Sequence, residues 1–362
     1  MKTSNIKTDL DYSELFSSVS RADIKKFQKE HPTFYIREDE NVVVLERDSK
    51  LGIAILVLFG IIFIPLTFLF LVSTLGVVGT ALNLTGLVFL SPIIALAGVY
   101  LFRKYAHDTM KKSVRLTRFA KANNLKYSHL PGREGVDLSG LIFTSGNQGM
   151  SDRFILPDGT EVGNYTVQSS SNSRQHSTSD TWTYLKLKLN RQVPHFILDS
   201  KANNLTIGGS NLPADLSRDN ILNLEGDFNN YFTLYAPKGY ETDALYIFTP
   251  NLMQLLIESN KSGSQYDMEA VGDSFYIYYH NHLDLASPAS WNQLLRVAEE
   301  LRPTLDRQTR NYTDETIGDR SLNEIAPAGQ RATRPSRKVS RNLAVIAGMI
   351  VVWVIAYYML SS

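Results

Sequence analysis

The sequence predicts an α+β protein: three transmembrane helices, arranged as a hairpin plus a C-terminal span, with a largely antiparallel-sheet cytoplasmic domain. Three observations lead there. The 52 positions from Leu51 to Phe102 contain no Asp, Glu, Lys or Arg. A second uncharged run covers the 18 residues from Leu343 to Leu360. Between the two runs, short alternating or apolar stretches separated by turn residues follow one another, with amphipathic helical segments among them.

A single helix of 52 residues would be roughly 78 Å long, far beyond the roughly 30 Å of a bilayer core, so the first run is expected to fold back. The segments Ser73–Thr80 and Asn83–Thr85 are poor in large apolar residues. They divide the run into one expected span at Leu51–Val72 and a second at Ala81–Phe102. Arg47 and Lys50 precede the first span, and a basic stretch from Arg103 to Lys126 follows the second. By the positive-inside rule both flanks belong in the cytoplasm of a bacterial cell, with the hairpin loop outside. Arg331, Arg334, Arg337, Lys338 and Arg341 precede the third run, so the C-terminus is expected outside the plasma membrane.

The expected organisation is an N-terminal cytoplasmic cap over residues 1–50, the hairpin over 51–102, a basic helix and α+β domain over 103–310, a basic polar tether over 311–342 and the last span over 343–360. In the cap, Ser20-Arg-Ala-Asp23 has the form of a capping box and opens a short helix that stops before Pro32. Phe34–Ile36 and Val42–Leu45 flank a charged segment and read as a β-hairpin. After the hairpin, Arg103–Ala122 reads as a basic helix, with Asn123-Asn124 as its stop.

Strand signals follow at Arg153–Leu156, at Glu161–Val167 after the turn Pro157-Asp-Gly159, and at Thr181–Leu189. In the last of these, Leu185, Leu187 and Leu189 alternate with Tyr184, Lys186 and Lys188. Gln168–Asp180 is a polar hairpin tip. Tyr231–Tyr235 and Ala244–Phe248 are expected strands. Thr249-Pro250 then starts a helix to about Ser259, Ser274–His280 is a strand, and Ser287-Pro288 starts a helix that ends near Pro303. That helix carries Trp291, Leu294, Leu295, Ala298 and Leu301 on one face.

Composition excludes several functions. The chain has no cysteine, which removes disulfides, thiolate metal sites and a cysteine nucleophile together. The net charge of +1 conceals a segregation, because Asp and Glu outnumber Lys and Arg between Tyr127 and Glu315. Nucleic acid is not an expected partner of so acidic a domain. The basic residues cluster beside the uncharged runs. Arg103, Lys104, Lys111, Lys112, Arg337, Lys338 and Arg341 are the candidate contacts to lipid headgroups, and the bilayer is the expected partner together with other membrane or cytoplasmic proteins.

Residues 222–279 include Leu224-Glu-Gly-Asp-Phe228, Tyr231-Phe-Thr-Leu-Tyr235 and Asp243-Ala-Leu-Tyr-Ile-Phe-Thr-Pro250 ahead of a helix. This stretch resembles the soluble domain of a family of uncharacterised bacterial multipass membrane proteins, and the resemblance extends over the hairpin and roughly Arg103–Leu301. It implies a transmembrane hairpin, a basic helix and a domain with a phenylalanine-rich pair of strands. It implies no activity, and the third span departs from the family's commonest pattern.

Motifs of catalysis are thin: there is no phosphate-binding glycine loop, His-Glu-x-x-His or Gly-x-Ser-x-Gly. His280-Asn-His282-Leu-Asp284 could hold a metal if both imidazoles share a strand face, but a pair of surface polar residues is the plainer reading. His195, Asp227 and Asp243 read as structural. Neither metal nor cofactor is expected. Eight tyrosines lie between Tyr231 and Tyr279. Among them Tyr246, Tyr276 and Tyr278 are the candidate partner surface. The function expected from these readings is a membrane-anchored binding or assembly domain of unknown ligand. The alternative is a membrane-bound, hydrolase-like enzyme with its site in the acidic domain.

Overall fold

In the computed structural model, residues 9–31, 33–38, 41–46, 81–129, 138–143, 147–169, 178–204, 210–213, 216–224, 226–261, 265–317, 319 and 321–333 are described. They form an antiparallel sheet with helices, an α+β arrangement. They divide into two compact units. Unit 1 comprises Met1–Leu138, Ser145–Lys188 and Ile277–Pro303, and unit 2 comprises Ser139–Thr144, Leu189–Tyr276 and Thr304–Ser362.

Among the described residues no helix is long and apolar enough to cross a membrane. This corrects the three-span expectation. The expected runs Leu51–Val72 and Leu343–Leu360 lie outside the described residues. Ala81–Phe102 is the first half of one 42-residue helix, α2 (Ala81–Ala122), which continues without a break into the charged stretch after Arg103. The reading counted missing charges, and an uncharged run is a weaker condition than an apolar one: Asn83, Thr85, Ser91 and Pro92 carry no charge and favour no hydrocarbon.

Unit 1 begins with α1 (Arg21–Glu30), whose capping box closes from both sides: the Ser20 hydroxyl accepts from the Asp23 N–H, and the Asp23 carboxylate accepts from the Ser20 N–H. The apolar face of α1, Ile24 and Phe27, packs on Ala106, Met110 and Val114 of α2, which are spaced one helical turn apart. Arg118 pairs with Asp23 at 2.8 Å and donates to the Ser18 carbonyl, while Arg115 donates to the Ser17 carbonyl. Asn124 takes φ 58° at the end of α2, the left-handed conformation that stops a helix and that Asn tolerates better than most residues. The strands β1 (Thr33–Glu38) and β2 (Asn41–Glu46) pair antiparallel, as the hairpin reading expects.

The main sheet has seven strands: β3 (Lys126–Ser128), β4 (Asn147–Ile155), β5 (Glu161–Ser169), β6 (Thr178–Ser200), β7 (Ile221–Leu222), β8 (Phe232–Tyr235) and β9 (Asp267–His280). The order is β3-β4-β5-β6-β8-β7, with β9 also paired to β6. Successive pairs along that path are antiparallel. Gly159, at φ 85°, closes the β4–β5 turn in a conformation open to glycine. In unit 1 the sheet is covered by Phe119 of α2 and Trp291 of the helix α6 (Pro288–Thr309), which meet Phe154 of β4 at ring separations of 5.0–6.2 Å. Trp291, Leu294, Leu295, Ala298 and Leu301 are all buried. Pro303 does not end α6, which runs on to Thr309.

Unit 2 contains the single turn α3 (Phe228–Tyr231), α4 (Glu241–Ile247) and α5 (Pro250–Lys261). The expected strand at Ala244–Phe248 is therefore a helix. Ala244, Ile247 and Phe248 are buried while Leu245 and Tyr246 are exposed, a period of three to four residues instead of two, and Glu241 and Asp243 favour the helix N-terminus. The described residues between 311 and 333 are not a free tether. Tyr312, Asp314, Ile325 and Ala332 are buried, and the Asp314 carboxylate accepts from the Tyr240 hydroxyl (2.8 Å) and the Ala326 N–H (2.9 Å).

Candidate functional site

The tyrosines singled out from sequence do not share a surface. Tyr276 and Tyr278 are fully buried, as are Phe275 before them and Ile277 between them, because both faces of β9 are covered. The Tyr276 hydroxyl accepts from the Ser139 N–H at 3.2 Å, and burial pushes its pKa up to about 12. Only Tyr246 is exposed, on α4, 6.0 Å from the Tyr312 ring. Of the basic candidates, Arg103 and Lys104 are exposed on α2. Lys111 lies 3.8 Å from Asp108, and Lys112 is drawn to Asp284 at 2.9 Å. Arg337, Lys338 and Arg341 lie outside the described residues.

His195, His280 and His282 are held by neighbouring residues. β9 ends at His280, and Asn281 turns the chain with φ 78°, so His280 and His282 do not continue one strand face. The His280 ring packs 4.8 Å from Trp182, His282 Nε2 lies 3.2 Å from the Tyr165 carbonyl, and Asp284 serves Lys112 and the Ala286 N–H. His195 accepts the Ala332 N–H on Nδ1 (3.1 Å). Its proton is thereby assigned to Nε2, which donates to Glu269 Oε1 at 2.6 Å. The other Glu269 oxygen accepts from the Leu141 N–H at 2.7 Å.

In unit 1, Ser113, His129 and Asp152 come together, but not as a nucleophilic triad. Ser113 Oγ (3.4 Å) and Asp152 Oδ1 (3.2 Å) both approach the same ring nitrogen, Nδ1, whereas a triad needs them on opposite nitrogens. The Ser113 hydroxyl donates to the Thr109 carbonyl and is buried. Asp152 is aimed inward by a break in the β4–β5 register, where it takes φ 50°, and it also accepts from the Tyr127 hydroxyl at 2.8 Å. Burial pushes its carboxyl upward, and His129, Lys112 and Tyr127 together outweigh that and hold it below its ordinary value.

The polar cluster with open acceptors lies in unit 2, where β6 ends and β9 begins. Asp199 is 3% exposed and Asp267 is fully buried. Asp267 is fastened by the Ser200 N–H (2.8 Å) and the Asn203 amide (3.0 Å). The Ser200 hydroxyl in turn accepts from the Asn260 amide at 2.9 Å, and the Asn204 side-chain Oδ1 accepts from the Asn211 N–H at 3.2 Å. Burial first, and then the like charge of Asp199, push the Asp267 carboxyl up to about 7 against the lowering effect of its hydrogen bonds. Asp199 is also raised, by burial, with Ser210, Asn204 and Lys201 partly compensating. The amide of Asn211 lies close enough to Asp267 to favour its ionised form, although its geometry is not that of a hydrogen bond.

Three buried oxygens here, Asp199 Oδ1, Asn203 Oδ1 and Asn211 Oδ1, receive no hydrogen bond from any described residue. Native interiors rarely leave such acceptors bare. Sequence reasoning missed this cluster because its two carboxylates lie on strands far apart in the chain. A local signal existed in the density of short oxygen-bearing side chains at Asp199, Ser200, Asn203, Asn204, Ser210 and Asn211.

The fold and these geometries define an α+β protein with a buried carboxylate–amide cluster and without a catalytic triad among the described residues. No family model and no curated protein matches the chain. Among solved structures, the crystal structure of the mycobacterial trehalose monomycolate transport factor A is similar at a TM-score of 0.34 and 11% identity, over 52% of this chain and 92% of that one. A likeness this weak carries no argument about fold or function.

Proposed function

We propose that this chain is a binding or assembly domain whose ligand is taken up by the Asp199–Asp267 cluster of unit 2. The observation that supports the reading is the set of bare oxygens on Asp199, Asn203 and Asn211, in the same cluster as a carboxylate that already has its own donors. Such a site accepts a donor-rich or cationic ligand. Among the described residues its Ser200 hydroxyl accepts from the Asn260 amide, and Ser113, His195, His280 and His282 are engaged elsewhere. The raised carboxyl of Asp267 favours the second reading, an acid–base enzyme of hydrolase type, since a carboxylic acid that titrates near neutrality suits proton transfer.

Native mass spectrometry on the intact protein purified from its own cells separates the two readings. A bound mass retained by the wild type and absent from Asp199→Asn is expected. Turnover of ester, phosphoester or glycoside substrates that is abolished by Asp267→Asn would overturn the binding reading in favour of the enzyme.

A further inference from the structure

We infer that the Asp199–Asp267 cluster is a divalent cation site of the calcium class, a step that rests on the binding reading above and names its ligand. The donor set consists of oxygens from two carboxylates and from the side-chain amides of Asn203 and Asn211, without nitrogen or sulfur. Such a set selects hard cations and disfavours zinc or copper. Calcium fits better than magnesium. It accepts six to eight oxygens in loose geometry, carboxylate and amide carbonyl alike, whereas magnesium demands a near-ideal octahedron and keeps its waters.

Charge points the same way. Two carboxylates that repel each other in a buried place balance one divalent ion. Lys201, the nearest cation in sequence, offsets Asp199 only in part, and its ammonium donates to the Asn229 carbonyl. The remaining feature is Asp199 itself, nine-tenths buried and more, with one oxygen bare. Its sheet position is fixed by pairing with Thr233 of β8, so it cannot swing to solvent to relieve that deficit. Asp267 is likewise held by the Ser200 N–H and the Asn203 amide, leaving further lone pairs for an ion. A bound ion would tie the end of β6, the start of β9 and the segment carrying Asn203 and Asn211 together.

With only two carboxylates, the affinity belongs at the weak end of calcium sites, with a dissociation constant on the order of 10⁻⁴ M. The test is thermal unfolding of the full chain, first in chelator and then with 10 mM CaCl₂, MgCl₂ or NaCl at matched ionic strength. Terbium emission under tyrosine excitation is read in parallel, because Tyr235 lies within electrostatic reach of Asp199.

Calcium should raise the midpoint by roughly 3–4 °C, the shift for a ligand at about 100 times its dissociation constant in a chain of 362 residues. Magnesium should give less than half of that, and NaCl none. Asp199→Asn removes a buried charge, so it should unfold at a higher temperature than the wild type in chelator and show no calcium response. A cluster with a purely structural role gives the opposite sign in chelator. Asn211→Leu should weaken terbium binding at least tenfold with its chelator midpoint kept, and it carries the test if Asp199→Asn does not fold. A wild type with neither a calcium shift nor terbium emission overturns the cation inference. If that protein still retains an organic mass that Asp199→Asn loses, the binding reading stands without the ion.

Discussion

Gly163 sits in β5 directly opposite Tyr184 of β6, and the tyrosine ring lies over the space where a side chain would be. A Cβ added at this position would stand 2.8 Å from Tyr184 Cε1 and 2.8 Å from its hydroxyl oxygen, closer than real Cβ atoms approach. Tyr184 is fully buried, and its hydroxyl donates to Glu161 Oε1 at 2.6 Å. Glu161 is itself gripped by Arg153 through two bonds of 2.7 and 2.8 Å. The ring cannot yield by the half ångström or more that Gly163→Ala demands without stretching that charged hydrogen bond. Overpacking costs about 1–3 kcal/mol. A strained or lost hydrogen bond to a charged group adds about 1.5–3 kcal/mol. The smaller entropy of the unfolded alanine chain offsets only about 0.4–1 kcal/mol. The net expectation is a loss of about 1.5–5.5 kcal/mol, read as a lower urea midpoint at unchanged slope. Adding Tyr184→Leu should make the alanine nearly neutral, so the double-mutant cycle should show coupling well above 1 kcal/mol. A Gly163→Ala protein as stable as wild type, or two effects that simply add, would refute the steric argument.

Three further outcomes are expected. Gly329→Ala places a Cβ 2.6 Å from Tyr240 Cζ and 2.8 Å from Ile325 Cγ2, so the segment Ile325–Ala332 should lose its seat, with faster amide exchange there than in β9; unchanged exchange would show that Tyr240 can move. Glu269→Gln presents an amide NH₂ where two donors, His195 Nε2–H and the Leu141 N–H, need acceptors, and should cost about 1–3 kcal/mol in urea unfolding; wild-type stability would mean that the imidazole has changed tautomer. Asp152, held below its ordinary value, contributes stability that is complete above about pH 4 and is lost as pH falls below that toward its folded value. The acid limb of the stability curve should therefore be flatter in Asp152→Asn, and identical slopes between pH 4 and 2 would count against the assignment.

Local chemistry was legible and long-range chemistry was not. The capping box at Ser20 and Asp23, the stop at Asn124, the turn at Gly159 and the buried face of α6 are all written in neighbouring residues, where spacing maps directly onto geometry. The segment Ala244–Phe248 reads as a strand in sequence because five apolar residues have no visible period; burial of Ala244, Ile247 and Phe248 reveals one only after folding. Pro303 looked like a helix end, yet a proline removes one hydrogen bond and tertiary packing of Leu301 and Leu305 carries α6 past it. Tyr276 and Tyr278 looked half-exposed because alternation cannot tell a strand covered on one face from a strand covered on both. The uncharged runs were legible as runs, and their relation to a membrane did not follow from charge alone. Of the carboxylate–amide cluster, only the asparagine-rich half could be seen locally, since Asp267 enters from another strand.

The two units are woven from one another's intervening chain, and that has a consequence for biosynthesis. Unit 1 lacks its last segment, Ile277–Pro303, with Trp291 and the face of α6, until some 115 residues after Lys188 have been made. At about 5–20 residues per second, a ribosome leaves the sheet edge of β4–β6 and the aromatic rings of Phe119 and Phe154 without their cover for roughly 6–23 s. The N-terminal half therefore has no finished domain to fold first. A nascent chain stalled near Lys188 should engage holdase chaperones, whereas one released after Pro303 should escape them.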